Sequence, residues 1–219
     1  MICDDLLREQ IRKRLAGFTR LAAAPGEQRA AAVAVAVTQT GHGADLPGMP
    51  MFDAWQCDPA LILTRRAGSL RHHAGQWALP GGRVDDAESA QAAALRELDE
   101  EVGLRLAPPD ILGLLDDYVT RSGFVITPVV VWAGAARGIA PNPGEVASLH
   151  RISVSEFERE DSPRLDPGEL PGQPVLRMPV GNSWIAAPTA AVLYQFREVC
   201  LAGRATRVAH FDQPAFAWR

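Results

Sequence analysis

The stretch Gly81–Leu104, GGRVDDAESAQAAALRELDEEVGL, constrains this chain more than any other. It reads as a helix preceded by a loop. Asp85 is expected as N-cap, with Glu88 three residues on completing a capping box. Ala87, Gln91, Ala94, Leu98 and Val102 recur at helical spacing and give one small, apolar stripe for a core. Gly103 suits the left-handed position after the last turn, covered by Leu104. The charges are the anomaly. Glu97, Asp99, Glu100 and Glu101 crowd the C-terminal end, where the helix dipole is already negative. Glu97 pairs with Glu100 at i+3 and with Glu101 at i+4, and each like-charge pair costs about 0.2–0.5 kcal/mol. Arg96 can pair with Glu100, but one cation does not neutralise four acids. A divalent cation does, and carboxylates on one face of a helix suit Mg²⁺ or Mn²⁺.

The rest of the chain sets the context. Of its 219 residues 47% are hydrophobic and 22% charged, enough for a sizeable core and against global disorder. The net charge of −4 argues against a general nucleic-acid or membrane surface, so anion binding must come from local basic clusters. Cys3, Cys57 and Cys200 are widely separated with no CxxC, and read as reduced, buried thiols. The N-terminus lacks the apolar core of a signal peptide, and no segment reaches the length of a membrane span. A cytoplasmic location is the expectation.

In chain order, residues 4–24 are expected to form a helix with Leu6, Leu7, Ile11, Leu15 and Phe18 on its apolar side, stopped by Pro25-Gly26. Residues 30–38, 60–66 and 76–79 read as strands, with a long loop over 41–50. Residues 112–120 and 124–132 read as a hairpin about Arg121-Ser122-Gly123. A strand over 146–152, a short helix from Ser153, a proline-rich loop over 161–174, a small hairpin about Gly181-Asn182 and a last helix over 189–202 follow. The tail after His210 is expected to pack on the surface. Strands and helices mix without βαβ alternation, which favours an α+β arrangement with a mixed sheet between helices. The absence of GxGxxG and of GKS or GKT excludes dinucleotide-fold and P-loop readings. The expected division is an N-terminal helix (1–29), one catalytic domain (30–203) and a tail (204–219).

The spacing Gly82, five residues, Glu88, seven residues, then Arg96-Glu97-Leu98-x-Glu100-Glu101-x-Gly103-Leu104 resembles the Nudix box at every fixed position. That resemblance implies the Nudix fold, an α/β/α sandwich with a mixed sheet, and metal-assisted hydrolysis of a pyrophosphate bond. It implies that Glu97, Glu100 and Glu101 hold Mg²⁺ or Mn²⁺, with the Gly81 carbonyl as a further ligand and Arg96 orienting Glu97 or Glu100. A distal acid often joins such sites from a Pro-Gly-Glu turn. Here Pro143-Gly144-Glu145 supplies one, so either Glu97 or Glu145 is the expected base.

Directly upstream, Arg65, Arg66, Arg71, His72 and His73 concentrate positive charge within nine positions. Arginine forks suit phosphate. The run Ile62-Leu63-Thr64-Arg65-Arg66-Ala67, then Arg71, Gly75 and Leu79-Pro80-Gly81-Gly82, resembles the extra signature of the coenzyme A pyrophosphatase branch, with Ile62 for Leu and Leu79 for Phe as departures. It implies cleavage of coenzyme A or its thioesters to 3′,5′-ADP and a phosphopantetheine, with Arg66, Arg71, Arg65 and Gly75 at the substrate. The expected partner is therefore a coenzyme A-like small-molecule nucleotide, with no nucleic acid and no membrane; a homodimer stays open. Alternatives are the same chemistry on ADP-ribose, a dinucleotide or a nucleoside triphosphate, or a Nudix-fold binding module without turnover. Tyr118 stands near the distance of a tyrosine associated with dinucleoside polyphosphates, although a strand tyrosine is more often packed.

Overall fold

The structure, a computed structural model, describes residues 1–24, 26–68, 75–169 and 171–214. Its centre is strand β1 (Arg29–Gly43), which is buried on both faces over Ala34–Val37. Along one edge β1 pairs in parallel with β7 (Phe124–Gly134), from Arg29 opposite Phe124 to Thr38 opposite Gly134. Along the other it pairs antiparallel with β4 (Gly81–Arg83) in its first half and with β2 (Met51–Arg66) in its second. Strands β3 (Trp77–Ala78) and β8 (Val146–Ser153) pair with β2; β5 (Ile111–Leu114) and β6 (Tyr118–Val119) pair with β7. One mixed sheet results.

Period-two alternation on β1 assigns its faces. Ala32, Ala34 and Ala36 face helix α2 (Ala90–Val102) and pack with Ala93, Ala94, Leu98 and Val102. Small residues on both partners let helix and sheet approach closely. Val35 and Val37 face the opposite layer, made of α1 (Asp5–Ala16), α4 (Thr189–Phe196, continued by a π-helical turn to Leu201) and a small sheet. That sheet comprises β9 (Arg164–Asp166), β10 (Val175–Val180) and β11 (Ser183–Ala186). The short helix α3 (Val154–Phe157) precedes it. The α/β/α sandwich with a mixed sheet is thus present, and among the described residues no helix is long and apolar enough to cross a membrane.

Several local expectations are corrected. Helix α1 ends at Ala16 with Gly17 as its cap, far short of residue 24, and Leu6 is exposed while Leu7, Ile11, Leu15 and Phe18 are buried. Residues beyond it run extended, with Leu21 N–H and Ala23 N–H donating to the carboxylates of Asp116 and Asp117. Those two acids also explain why the strand expected over 112–120 breaks into β5 and β6. The loop expected over 41–50 is partly strand: β1 and β2 extend into a long hairpin, with register shifts around Gly41 and Gly43 that both sit at positive φ. Glycine tolerates that conformation without a Cβ penalty. Strand β9 lies inside the proline-rich loop. The tail is not superficial, since Phe211, Asp212 and Gln213 are buried and the Tyr118 hydroxyl donates to the Phe211 carbonyl at 2.8 Å. Cys3 and Cys200 are buried thiols, but Cys57 is exposed.

Candidate active site

The helix carrying the acids starts later than the capping-box reading places it. Ser89 is the N-cap of α2, its hydroxyl accepting from Ala92 N–H at 3.1 Å. Asp85 and Glu88 form a separate turn, with Asp85 N–H donating to the Glu88 carboxylate at 3.1 Å, because Ala87 at φ 66° breaks any helix there. The far end agrees with the sequence: Gly103 is left-handed, and the N–H groups of Gly103 and Leu104 return to Asp99 and Leu98.

The loop before β8 completes this helix end. Ala140 N–H donates to the Val102 carbonyl at 3.0 Å and Asn142 N–H to the Glu101 carbonyl at 2.8 Å, satisfying carbonyls that helix geometry leaves open. Ala67 N–H donates to the Glu145 carbonyl at 2.8 Å, tying the same loop to the end of β2. Three segments distant in sequence are thereby fixed around one cleft of about 640 Å³. Glu97, Glu101, Glu145, Arg66, Gly81 and Gly82 all line it.

The carboxylates differ in environment. Glu101 is 4% exposed, and burial pushes its carboxyl up to about 7. The Gly81 N–H, donating to Oε2 at 3.1 Å, and Arg66 act against that rise, while the charges of Glu97 and Glu145 add to it. Glu97 is also raised, first by burial, with Arg96 opposing. Glu100 lies outside the cleft, its side chain 55% exposed, and accepts from Arg96 Nη1 at 3.1 Å.

Arg96 ties this arrangement together from behind. Its Nε and Nη2 donate to the two oxygens of Glu88 at 3.1 and 3.0 Å, Nη1 donates to Glu97 at 2.8 Å, and Nη2 also reaches the Arg83 carbonyl at 3.0 Å. The bidentate bond from Arg96 holds Glu88 below the usual carboxylate range.

Two glycines open the way from the helix into the cleft. A Cβ built on Gly82 would lie 2.5 Å from Glu97 Cδ, and one on Gly81 would lie 2.7 Å from Val33 Cα. Neither position has room for a side chain while strand and carboxylate stay in place.

The substrate residues expected from the sequence divide. Arg66 lines the cleft beside Glu101, and its Nε is buried with no hydrogen-bond partner among the described residues. Arg65 turns away, stacked 4.3 Å over the Trp77 ring and donating to the Gly75 carbonyl at 3.1 Å. Gly75 is an exposed turn residue at φ 70°, and its N–H donates to the Arg66 carbonyl. Arg71, His72 and His73 lie outside the described residues. Sequence reasoning missed Trp77, Arg29, Arg83 and Phe124, which line the same cleft. Trp77 Nε1 is another buried donor without a partner among the described residues. Only the strand pairing, which no local motif encodes, brings these four to the acids.

Among the described residues no three acidic, cysteine or histidine side chains are already drawn together as a metal cage. Arg96 holds Glu97 and Glu100, and the Gly81 N–H holds Glu101. The donor set nevertheless fits a hard divalent cation: buried carboxylates with raised pKa, lining one cleft, are relieved by positive charge.

The NUDIX domain model matches residues 49–171. The chain is 50% identical over 110 residues to the uncharacterized Nudix hydrolase NudL of Cronobacter sakazakii, covering 47% of this chain and 54% of that one. It is 40% identical over 99 residues to the uncharacterized Nudix hydrolase NudL of Photorhabdus laumondii, covering 45% and 53%. The chain spans about half the length of these curated relatives. A solved structure of a MutT/nudix family protein from Enterococcus faecalis aligns over 75% of this chain and 52% of that one, at 15% identity and a TM-score of 0.47. With more than half its length matched by the family model, this chain belongs to the Nudix family.

Proposed function

We propose that the chain is a metal-dependent hydrolase of a pyrophosphate bond in a nucleoside diphosphate derivative, with coenzyme A or an acyl-coenzyme A as substrate. The observation that carries this reading is the gathering of Glu97 and Glu101 on α2, Glu145 from a distant loop and Arg66 from β2 around one cleft. A Mg²⁺ or Mn²⁺ held by these carboxylates, with the Gly81 carbonyl, would offset phosphate charge and acidify a bound water. The chain's own groups supply the rest. Arg66 offers to a diphosphate oxygen a guanidinium N–H that has no partner among the described residues. Glu97 and Glu145 are the two acids able to accept the water proton. Burial raises Glu97 toward the range where a carboxylate works as a base. Glu100, exposed and bound to Arg96, fits a supporting place more than a direct one.

Arg96 is assigned to positioning Glu97. In Arg96→Met, kcat is expected to fall about 10- to 100-fold with little change in KM. Arg96 lowers the Glu97 pKa, so its loss also moves the ascending limb of the pH–rate profile to higher pH. Steady-state kinetics across pH checks both; an unmoved limb separates a merely structural loss from this account.

Coenzyme A is preferred over other nucleotides on the upstream arginine and glycine run that joins the box. Tyr118 is buried, with its hydroxyl bound to the Phe211 carbonyl, in keeping with a packed strand tyrosine. A panel of coenzyme A, ADP-ribose, a dinucleotide and a nucleoside triphosphate, each with Mg²⁺ or Mn²⁺ and product identification, tests the choice. The highest kcat/KM is expected for coenzyme A; a higher value for any other member overturns the substrate and leaves the chemistry.

A further inference from the structure

The cleft has a second charged end that the proposed chemistry does not use. Arg29 opens β1 directly opposite Phe124 on β7, and its guanidinium carbon lies 4.1 Å from the Phe124 ring centroid. Arg83 ends β4, paired with β1 opposite Ala31, and its guanidinium carbon lies 5.8 Å from the same ring. Both line the cleft that holds Glu97 and Glu101. Neither forms an ion pair among the described residues. Two like charges gathered at one end of the cleft repel each other, and an anion bound at that end offsets the repulsion.

The spacing decides what kind of anion. Arg29, Ala31 and Val33 share one face of β1 and all line the cleft, and Val33 pairs with Gly81, whose N–H binds Glu101. Four residue steps along the strand take Arg29 to Val33, on the order of 13 Å. Arg29 is therefore too far along the strand to share the diphosphate assigned to Arg66 and the glutamates, and Arg83, opposite Ala31, stands between the two, so one nucleotide-sized ligand can reach both ends.

We infer that Arg29 and Arg83, stacked on Phe124, form a second anion subsite that takes a phosphate monoester carried on the nucleoside half of the substrate. The assignment rests on the proposed nucleotide chemistry. Arg65, engaged with Trp77 and Gly75, takes no part in the subsite; Arg29 lies outside both sequence motifs, and Arg83 occupies a variable position between Gly82 and Glu88.

The test compares binding of adenosine 3′,5′-bisphosphate and of adenosine 5′-monophosphate to the full chain by titration calorimetry. The bisphosphate is expected to bind about tenfold tighter. The preference is expected to fall close to one in Arg29→Gln and in Arg83→Gln, through weaker binding of the bisphosphate, and to recover partly in Arg29→Lys. Equal affinities in the unmodified chain, or a full preference retained in both glutamine variants, overturns the subsite. The two readings fail separately. A chain that prefers the bisphosphate but cleaves no coenzyme A keeps the subsite and loses the hydrolase. A chain that cleaves coenzyme A and its 3′-dephospho form equally well, with no binding preference, keeps the hydrolase and loses the subsite.

Discussion

Glu101→Gln is expected to melt about 5 °C or more above the unmodified chain at pH 8 in chelator, while its turnover falls roughly 10³-fold. The two effects share one cause. Unfolded, Glu101 titrates near its ordinary 4.5; folded, burial moves it to about 7. The folded chain binds the extra proton between those values, so stability declines as pH rises from about 4.5 through 7. Above 7 the whole penalty applies, roughly 3 kcal/mol from the size of the gap. Glutamine removes the charge and keeps an oxygen for the Gly81 N–H. At pH 5 the two chains should melt within about 1–2 °C of each other, because most of the penalty has gone. Added Mg²⁺ should raise the melting temperature of the unmodified chain at pH 8 and leave the variant nearly unmoved. Thermal melts at the two pH values, with chelator and with Mg²⁺, check every part. A variant that melts lower at pH 8 in chelator contradicts the idea that this carboxylate is held at a cost which a cation offsets.

The adjacent glycines should fail in different ways. In Gly81→Ala the new methyl meets backbone, the Ala32 carbonyl oxygen and Val33 Cα, at the pairing of β4 with the central strand. Backbone there cannot yield without breaking the ladder, so a loss of about 1–3 kcal/mol in stability is expected. In Gly82→Ala the methyl meets the carboxylate of Glu97, the far end of a flexible side chain. The fold should yield cheaply, with a melting temperature within about 2 °C of the original. Glu97 is displaced from the cleft, and misplacement by about 1 Å is worth on the order of 10² in rate. Melts and initial rates on the pair separate the two failures; equal melting losses in both variants would show that Gly82 is needed by the fold and not by Glu97.

The sequence was most informative where charge contradicted local structure. Four acids at a helix C-terminus required an outside explanation, and two of them, Glu97 and Glu101, line the cleft with Arg66 and Glu145. The apolar, valine-rich run over 30–38 likewise reads as a strand, and Ala34–Val37 within it are fully buried. What was not legible depended on pairing between distant segments. Nothing local sets Arg83 two strands from Phe124, or turns Arg65 onto Trp77 and leaves its neighbour Arg66 in the cleft. Alternation along β2 is the physical reason the two arginines part, but which one faces inward follows from the sheet's register. The start of α2 departs from the expectation because Asp85 and Glu88 close a separate turn: Asp85 N–H donates to the Glu88 carboxylate, as in a capping box, but Glu88 N–H donates to the Asp85 backbone carbonyl and not to its side chain. The hairpin of β1 and β2 ran past its expected ends because Gly41 and Gly43, read as loop formers, serve as bulges.

The most direct measurement is the release of 3′,5′-ADP from coenzyme A by the unmodified chain with Mg²⁺, followed by chromatography beside a sample in chelator. The account predicts steady release with the metal, none in chelator, and a rate reduced about 10³-fold in Glu101→Gln. No turnover of coenzyme A or of any other nucleoside diphosphate derivative with Mg²⁺ or Mn²⁺, or undiminished turnover in Glu101→Gln, would contradict it.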